Sequence, residues 1–235
     1  FYECEEIAAE HNGLEKIASW RPDLIDGDFA ILMEPTDGRV EGGCQGTMRF
    51  TLEVPGRAAH SARSWVGHNA IHDLSAVLER LNRWQERDPF VEVDGLTFRE
   101  GLNATMLDAG VAGNVIPPTA TIQINYRFAP DKTTEQARQY MEDLFHEWPM
   151  NVLDLSAPAR PGLDRPLAKS FVAAVGGEPG PKYGWTDVAR FGQLGIPAVN
   201  FGPGNALCAH QVDECCRLGS LDECYRALHT WLASR

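Results

Sequence analysis

From Thr121 to Phe128 the chain alternates without a break, with Ile122, Ile124, Tyr126 and Phe128 apolar against Thr121, Gln123, Asn125 and Arg127 polar. A period of two sends successive side chains to opposite faces, so the stretch reads as a strand with one face buried. Met48, Phe50, Leu52 and Val54 repeat the pattern against Thr47, Arg49, Thr51 and Glu53. Half-buried antiparallel strands of this kind need an apolar cover over one face, and two helical patterns supply it. Asn69 can cap a helix whose apolar positions Ile71, Leu74, Val77, Leu78, Leu81 and Trp84 follow the 3.6 period. Thr133 with Gln136 makes a capping box ahead of Ala137, Tyr140, Met141, Leu144 and Phe145. With further strands at 101–108 and 152–155, and the Gly113-Asn114 and Pro117-Pro118 turn before the clearest strand, the order across 44–156 is β-α-β-β-α-β. That is the split arrangement of a ferredoxin-like sandwich.

The flanks read as α/β. A short apolar run at 29–33 ends at Glu34-Pro35-Thr36-Asp37-Gly38, a buried strand followed by a turn. Beyond a Pro/Gly-rich linker at 157–166, helices are expected at 166–175 and 187–194, a strand at 196–201, and a helix at 221–233 opened by a Ser220/Glu223 capping box. Segments 1–43 and 157–235 are therefore expected to form one domain, interrupted by 44–156. Glu34 then stands at the carboxyl end of a strand, where α/β sheets collect their ligands.

With 21 Lys+Arg against 33 Asp+Glu, the net charge of −12 argues against nucleic acid or an anionic membrane as partner. No apolar stretch is long enough to cross a bilayer. The six cysteines, Cys4, Cys44, Cys208, Cys215, Cys216 and Cys224, match no C-x-x-C pair or zinc-finger spacing. Reduced thiols and a cytoplasmic location are the expectation, a secreted enzyme with one or two disulfides the alternative. Glu5, Glu6, Glu34, His60 and His210 offer the hard oxygens and imidazoles that suit zinc or a similar divalent ion, but their spacing matches no compact metal motif. These residue types and spacings alone leave the function open.

Their local context carries more. Glu3-Cys4-Glu5-Glu6, Ile31-Leu32-Met33-Glu34-Pro35-Thr36, Gly56-Arg57-Ala58-Ala59-His60-Ser61-Ala62, Gly113-Asn114-Val115-Ile116-Pro117, and Gly202-Pro203-Gly204-Asn205 followed by Ala209-His210 occur in one order. Over essentially the whole chain this resembles the M20 family of co-catalytic zinc hydrolases. The resemblance implies a zinc-peptidase-like catalytic domain interrupted by a ferredoxin-like lid used for dimerisation. Gly43-Cys44-Gln45-Gly46-Thr47, Ala62-Arg63-Ser64-Trp65, Asn125-Tyr126-Arg127-Phe128-Ala129-Pro130 and Lys182-Tyr183-Gly184-Trp185-Thr186-Asp187 are most similar to the bacterial branch that removes succinate from N-succinyl-LL-2,6-diaminopimelate, on the way to lysine and cell-wall precursors.

Carried over by the resemblance, Glu5 is the general acid/base, Glu6 and Glu34 are ligands of different metals, and His210 shares a metal with Glu6. His60 reaches a partner subunit's site and polarises the scissile carbonyl. Asn114, Arg127, Tyr183, Thr186 and the glycines Gly202 and Gly204 hold the substrate, a small N-succinyl amino acid. Zinc is implied at two per intact site, with cobalt possible, in a homodimer formed through the lid. The family's His-x-Asp motif and metal-bridging Asp, which precede the glutamate pair, have no counterpart ahead of Glu5, where the sequence opens on Phe1. These 235 residues alone are therefore expected to lack an N-terminal part of the catalytic domain, to bind zinc weakly or not at all, and to show no turnover. The alternatives are another acyl specificity of the family (acetylornithine deacetylase, aminoacylase, carboxypeptidase) or a non-catalytic dimerisation and binding module.

Overall fold

The computed structural model describes residues 12–209 and 211–235. In chain order the elements are α1 (Gly13–Trp20), β1 (Ala30–Leu32), β2 (Glu41–Gly42), β3 (Gly46–Pro55), β4 (Ala59–His60), α2 (Ala70–Gln85), β5 (Phe90–Val93), β6 (Leu96–Arg99), β7 (Gly101–Ala109), β8 (Val115–Ile116), β9 (Thr119–Phe128), α3 (Thr134–Leu144), β10 (Met150–Ser156), α4 (Pro166–Val175), β11 (Gly180–Pro181), α5 (Val188–Gln193), β12 (Ala198–Asn200) and α6 (Leu218–Ala233). The described residues divide into a first unit of 12–45, 92–98, 158–209 and 211–235 and a second of 46–91 and 99–157.

The second unit is a four-stranded antiparallel sheet in the order β10-β3-β9-β7. Numbered by their place in the β-α-β-β-α-β run, that order is 4-1-3-2, the ferredoxin-like arrangement. β3 and β9 stay in register from Gly46 opposite Phe128 to Pro55 opposite Thr119. The alternation therefore puts Phe50 and Leu52 with Ile122, Ile124, Tyr126 and Phe128 on one buried face, packed with Leu74, Val77, Leu81 and Trp84 of α2 and Ala137 and Met141 of α3. Both caps form as the residues dictate: Asn69 Oδ1 accepts from the amides of Ile71 and His72, and Thr133 and Gln136 exchange both bonds of a capping box. The apolar stripe of α2 is wider than its cover, however. Ile71 and Leu78, two turns apart on one face, are 42% and 44% exposed.

One carboxylate is sealed inside this unit. Glu100, with its side chain 3% exposed, accepts through Oε1 from the Tyr126 hydroxyl at 3.2 Å, the Ala129 amide at 3.0 Å and Lys132 Nζ at 3.0 Å, and through Oε2 from Arg87 at 3.5 Å.

In the first unit the short strands run β1-β12-β2-β11, with β1 parallel to β12, β12 antiparallel to β2, and β2 parallel to β11. An aromatic cluster fills its core, Phe171 meeting Phe201 and Trp231 edge to face at 5.2 and 5.1 Å between centroids, with Phe29 against Phe171 and Trp231.

Residues 92–98, within 44–156, group by contact with the first unit. They form a hairpin of β5 and β6 turning on Asp94 and Gly95, both at positive φ, with Val93, Leu96 and Phe98 buried and Arg160 gripping the Asp94 carboxylate through Nε and Nη2. The last helix starts at Leu218, so Ser220 lies inside it rather than capping it. Its hydroxyl donates back to the Arg217 carbonyl at 2.7 Å. Among the described residues no helix is long and apolar enough to cross a membrane.

Candidate active site

In the first unit the parallel pair β1 and β12 brings two chain segments out at one edge of the sheet. Glu34 follows β1 by two residues and Gly202 follows β12 by two. The loops they open are stitched together: Thr36 N–H to Gly202 O at 3.3 Å, Gly38 N–H to Gly202 O at 3.0 Å and Asp37 N–H to Gly204 O at 2.7 Å. The buried Thr36 hydroxyl adds a reciprocal pair, donating to Gly202 O at 3.3 Å and accepting from Gly202 N–H at 3.1 Å. This closeness explains the glycine. A Cβ at Gly202 would lie 2.5 Å from Glu34 O and 2.8 Å from Met33 C and O, all main-chain atoms with no side chain to swing aside. Gly204, at φ +87°, is required for its backbone conformation instead.

Glu34 is half-buried, and Lys182 Nζ lies 3.8 Å from its carboxylate. Lys182 is itself buried and sits nearer Glu41, at 3.2 Å. Burial pushes the Glu41 carboxyl up and the ammonium opposes it. Next along the chain, Tyr183 is 53% exposed while Thr186 is buried, its hydroxyl donating to Asn200 Oδ1 at 2.9 Å. Asn200 in turn donates to the carbonyls of Glu41 and Gly43. Lys182 opens a segment the sequence marks but has no role assigned there, and Asn200 lies in no motif; both act on residues some 140 to 160 positions away. Cys44 is fully buried, and burial pushes its thiol up to about 11, which keeps it protonated and unreactive at neutral pH. The cysteines among the described residues are all free thiols.

Glu5, Glu6 and His210 lie outside the described residues. Among those described, no three His, Cys, Asp or Glu side chains come together as a metal site. Of the expected ligands only Glu34 is in view, and a single carboxylate beside a lysine does not by itself make a metal centre.

In the second unit, β4 pairs antiparallel with β8 so that His60 faces Val115, and Ser61 N–H donates to Asn114 O at 2.9 Å. His60 and Asn114, 54 positions apart, thus stand together. After His60 the chain makes a short 3₁₀ segment, Ser61–Val66, every residue of it exposed and Trp65 at 76%. Arg127 projects from the face of β9 opposite the core, donating through Nε to Asn125 Oδ1 at 3.1 Å, and Asn125 in turn donates to Thr47 at 3.2 Å.

Residues 43–147 match the M20 peptidase dimerisation domain. Over 234 residues the chain is 50% identical to a Mycobacterium tuberculosis protein named "Putative succinyl-diaminopimelate desuccinylase DapE", covering 99% of this chain and 66% of that protein. The chain belongs to the M20 family. A succinyl-diaminopimelate desuccinylase of Corynebacterium glutamicum is 40% identical over 240 residues, covering 99% of this chain and 64% of its own length. The chain thus spans just under two thirds of these M20 relatives. Solved structures agree on the fold: a tripeptidase from Staphylococcus aureus superposes with a TM-score of 0.69 at 19% identity, covering 93% of this chain and 60% of that one. An M20 family metallo-carboxypeptidase from Sulfolobus solfataricus gives 0.66 at 17% identity, covering 93% and 65%.

Proposed function

We propose that the protein is a metal-dependent amide hydrolase that cleaves N-succinyl-LL-2,6-diaminopimelate into succinate and the free diamino acid. The observation that carries this reading is 40% and 50% identity, over 99% of the chain, to proteins named for that reaction. The sheet edge supports it, since five hydrogen bonds from residues 36, 37, 38 and 202 fix the backbone around Glu34. Probable carboxypeptidases such as that of Ajellomyces capsulatus are 29% identical over 82% of the chain, which makes the family's other acyl and peptide substrates the alternative to be tested.

In this reading Glu5 takes the proton of the attacking water and returns it to the amine as the C–N bond breaks. Glu6, Glu34 and His210 are the proposed metal ligands, and a bound zinc would supply the Lewis acidity that such hydrolases use. Tyr183, exposed beside buried Lys182, faces the substrate, while Thr186 supports that segment from within through Asn200. Gly202 and Gly204 are the proposed substrate-side glycines, held in place by their bonds to residues 36, 37 and 38. Asn114 and Arg127 are the substrate-holding residues of the lid, the planar guanidinium suiting a carboxylate. Initial rates on a panel of N-succinyl, N-acetyl and peptidyl substrates, measured on a form extended to the length of the M20 relatives, test the reading, with the succinylated diamino acid expected to be fastest and abolition by a chelator expected throughout.

The second unit is proposed to pair with its copy in a homodimer. β7 is an edge strand of its sheet, carries Met106 and Leu107 exposed at 66% and 60%, and is the strand against which α2, with its uncovered Ile71 and Leu78, packs most closely. An open apolar edge of this kind calls for a partner strand. Light scattering at micromolar concentration is expected to give the mass of two chains; a monomer contradicts the pairing.

A further inference from the structure

We propose that His60 is held by its own backbone as the neutral Nε2–H tautomer, a fixed hydrogen-bond donor, and that the main-chain amide of Ala62 is the positioning group. Ala62 N–H lies 3.1 Å from His60 Nδ1. An amide N–H can only donate, so Nδ1 must keep its lone pair, and a neutral imidazole with a bare Nδ1 carries its proton on Nε2. Protonation at Nδ1 would set two hydrogens against each other across that contact.

The ring is anchored on both sides of this bond. Its backbone is paired to Val115 by β4 and β8, and the next residue, Ser61, donates to the Asn114 carbonyl. The side chain that emerges is exposed, at the head of an exposed six-residue segment. His60 therefore presents Nε2–H to whatever it meets. That excludes it from acting through Nδ1 as a ligand, and a base acting through Nε2 would need the lone pair this tautomer lacks there. A positioned N–H is what the oxygen of a polarised carbonyl accepts from. The consequence for turnover rests on the amide-hydrolase reading; the tautomer rests on local geometry alone.

The test is nitrogen NMR on protein labelled with ¹⁵N throughout, the His60 ring signals assigned by their disappearance in His60→Gln. The expected result at mildly alkaline pH is an unprotonated, pyridine-type Nδ1, a protonated, pyrrole-type Nε2, and a scalar coupling across the hydrogen bond between Nδ1 and the Ala62 amide. A protonated Nδ1, or averaged ring shifts without that coupling, overturns the proposal. Kinetics give the second readout. The glutamine amide nitrogen reaches about as far as Nε2 and can only donate, so His60→Gln is expected to keep kcat within about 10-fold, whereas His60→Ala loses about 10²- to 10³-fold, the usual effect of removing one such donor. Equal losses in both variants overturn the donor role. These kinetics use a form extended to the length of the M20 relatives; absence of any turnover by its unaltered version on acylated amino acids defeats the hydrolase reading instead, and leaves the tautomer to stand or fall on the NMR.

Discussion

Gly202→Ala is expected to destabilise the first unit by about 3 kcal/mol, near the upper end for overpacking, and to reduce hydrolysis further than that loss of folded protein explains. The three atoms a Cβ would strike, Glu34 O and Met33 C and O, are main chain. Relief requires β1 and β12 to part just where Thr36, Asp37 and Gly38 are bonded to residues 202 and 204. The carboxylate of Glu34 moves with its backbone, and a displacement of about 1 Å at a reacting centre is enough to cost on the order of 10²-fold in rate. Gly204→Ala is the control. Its Cβ meets only Cys216 and Pro35 at 3.7 Å, an ordinary contact, so the penalty is the left-handed backbone alone, about 1–2 kcal/mol. Denaturant midpoints of the two variants, compared at unchanged slope, separate the two mechanisms.

Glu100→Ala is expected to cost the second unit about 3–5 kcal/mol. It removes the shared acceptor of a buried hydroxyl, a buried amide and two cations, and water cannot easily take its place. Tyr126 does not answer by ionising, because burial, the largest influence raising its hydroxyl, remains when the carboxylate is gone. Glu100→Gln keeps an oxygen for Tyr126 and Ala129 but removes the negative charge facing Arg87 and Lys132, of which Lys132 keeps Asp131 at 2.9 Å, and is expected to fall between the parent and Glu100→Ala in chemical denaturation. A Glu100→Ala protein as stable as its parent would mean that this cluster contributes nothing net.

The lid was legible because its signals are local and repeated. Alternation over 47–54 and 121–128 fixes which face of each strand is buried, and Asn69 and Thr133 with Gln136 cap helices that start where those residues indicate. The hairpin at 92–98 escaped, although Val91 and Val93 flanking Asp94-Gly95 with Leu96 and Phe98 carry its sequence signature. Ser220 misled, since a serine three residues before a glutamate fits a capping box as well as it fits the interior of a helix that begins at Leu218. In the first unit, strands of two or three residues show no period at all, and their order comes from pairings such as Leu32 with Asn200. Of the site, Glu34 and the two glycines could be picked out by context. The tie between them could not, because Thr36 meets Gly202 across 166 positions and nothing in either segment announces the other.

Release of free amine from N-succinyl-LL-2,6-diaminopimelate by a form extended to the length of the M20 relatives, measured beside N-acetylornithine and a dipeptide before and after chelation, is the most direct test of the proposed chemistry. The predicted result is a clear preference for the succinylated substrate, loss of that activity on chelation, and its return with zinc. Faster hydrolysis of the acetylated or peptide substrate, or activity indifferent to the chelator, would contradict it.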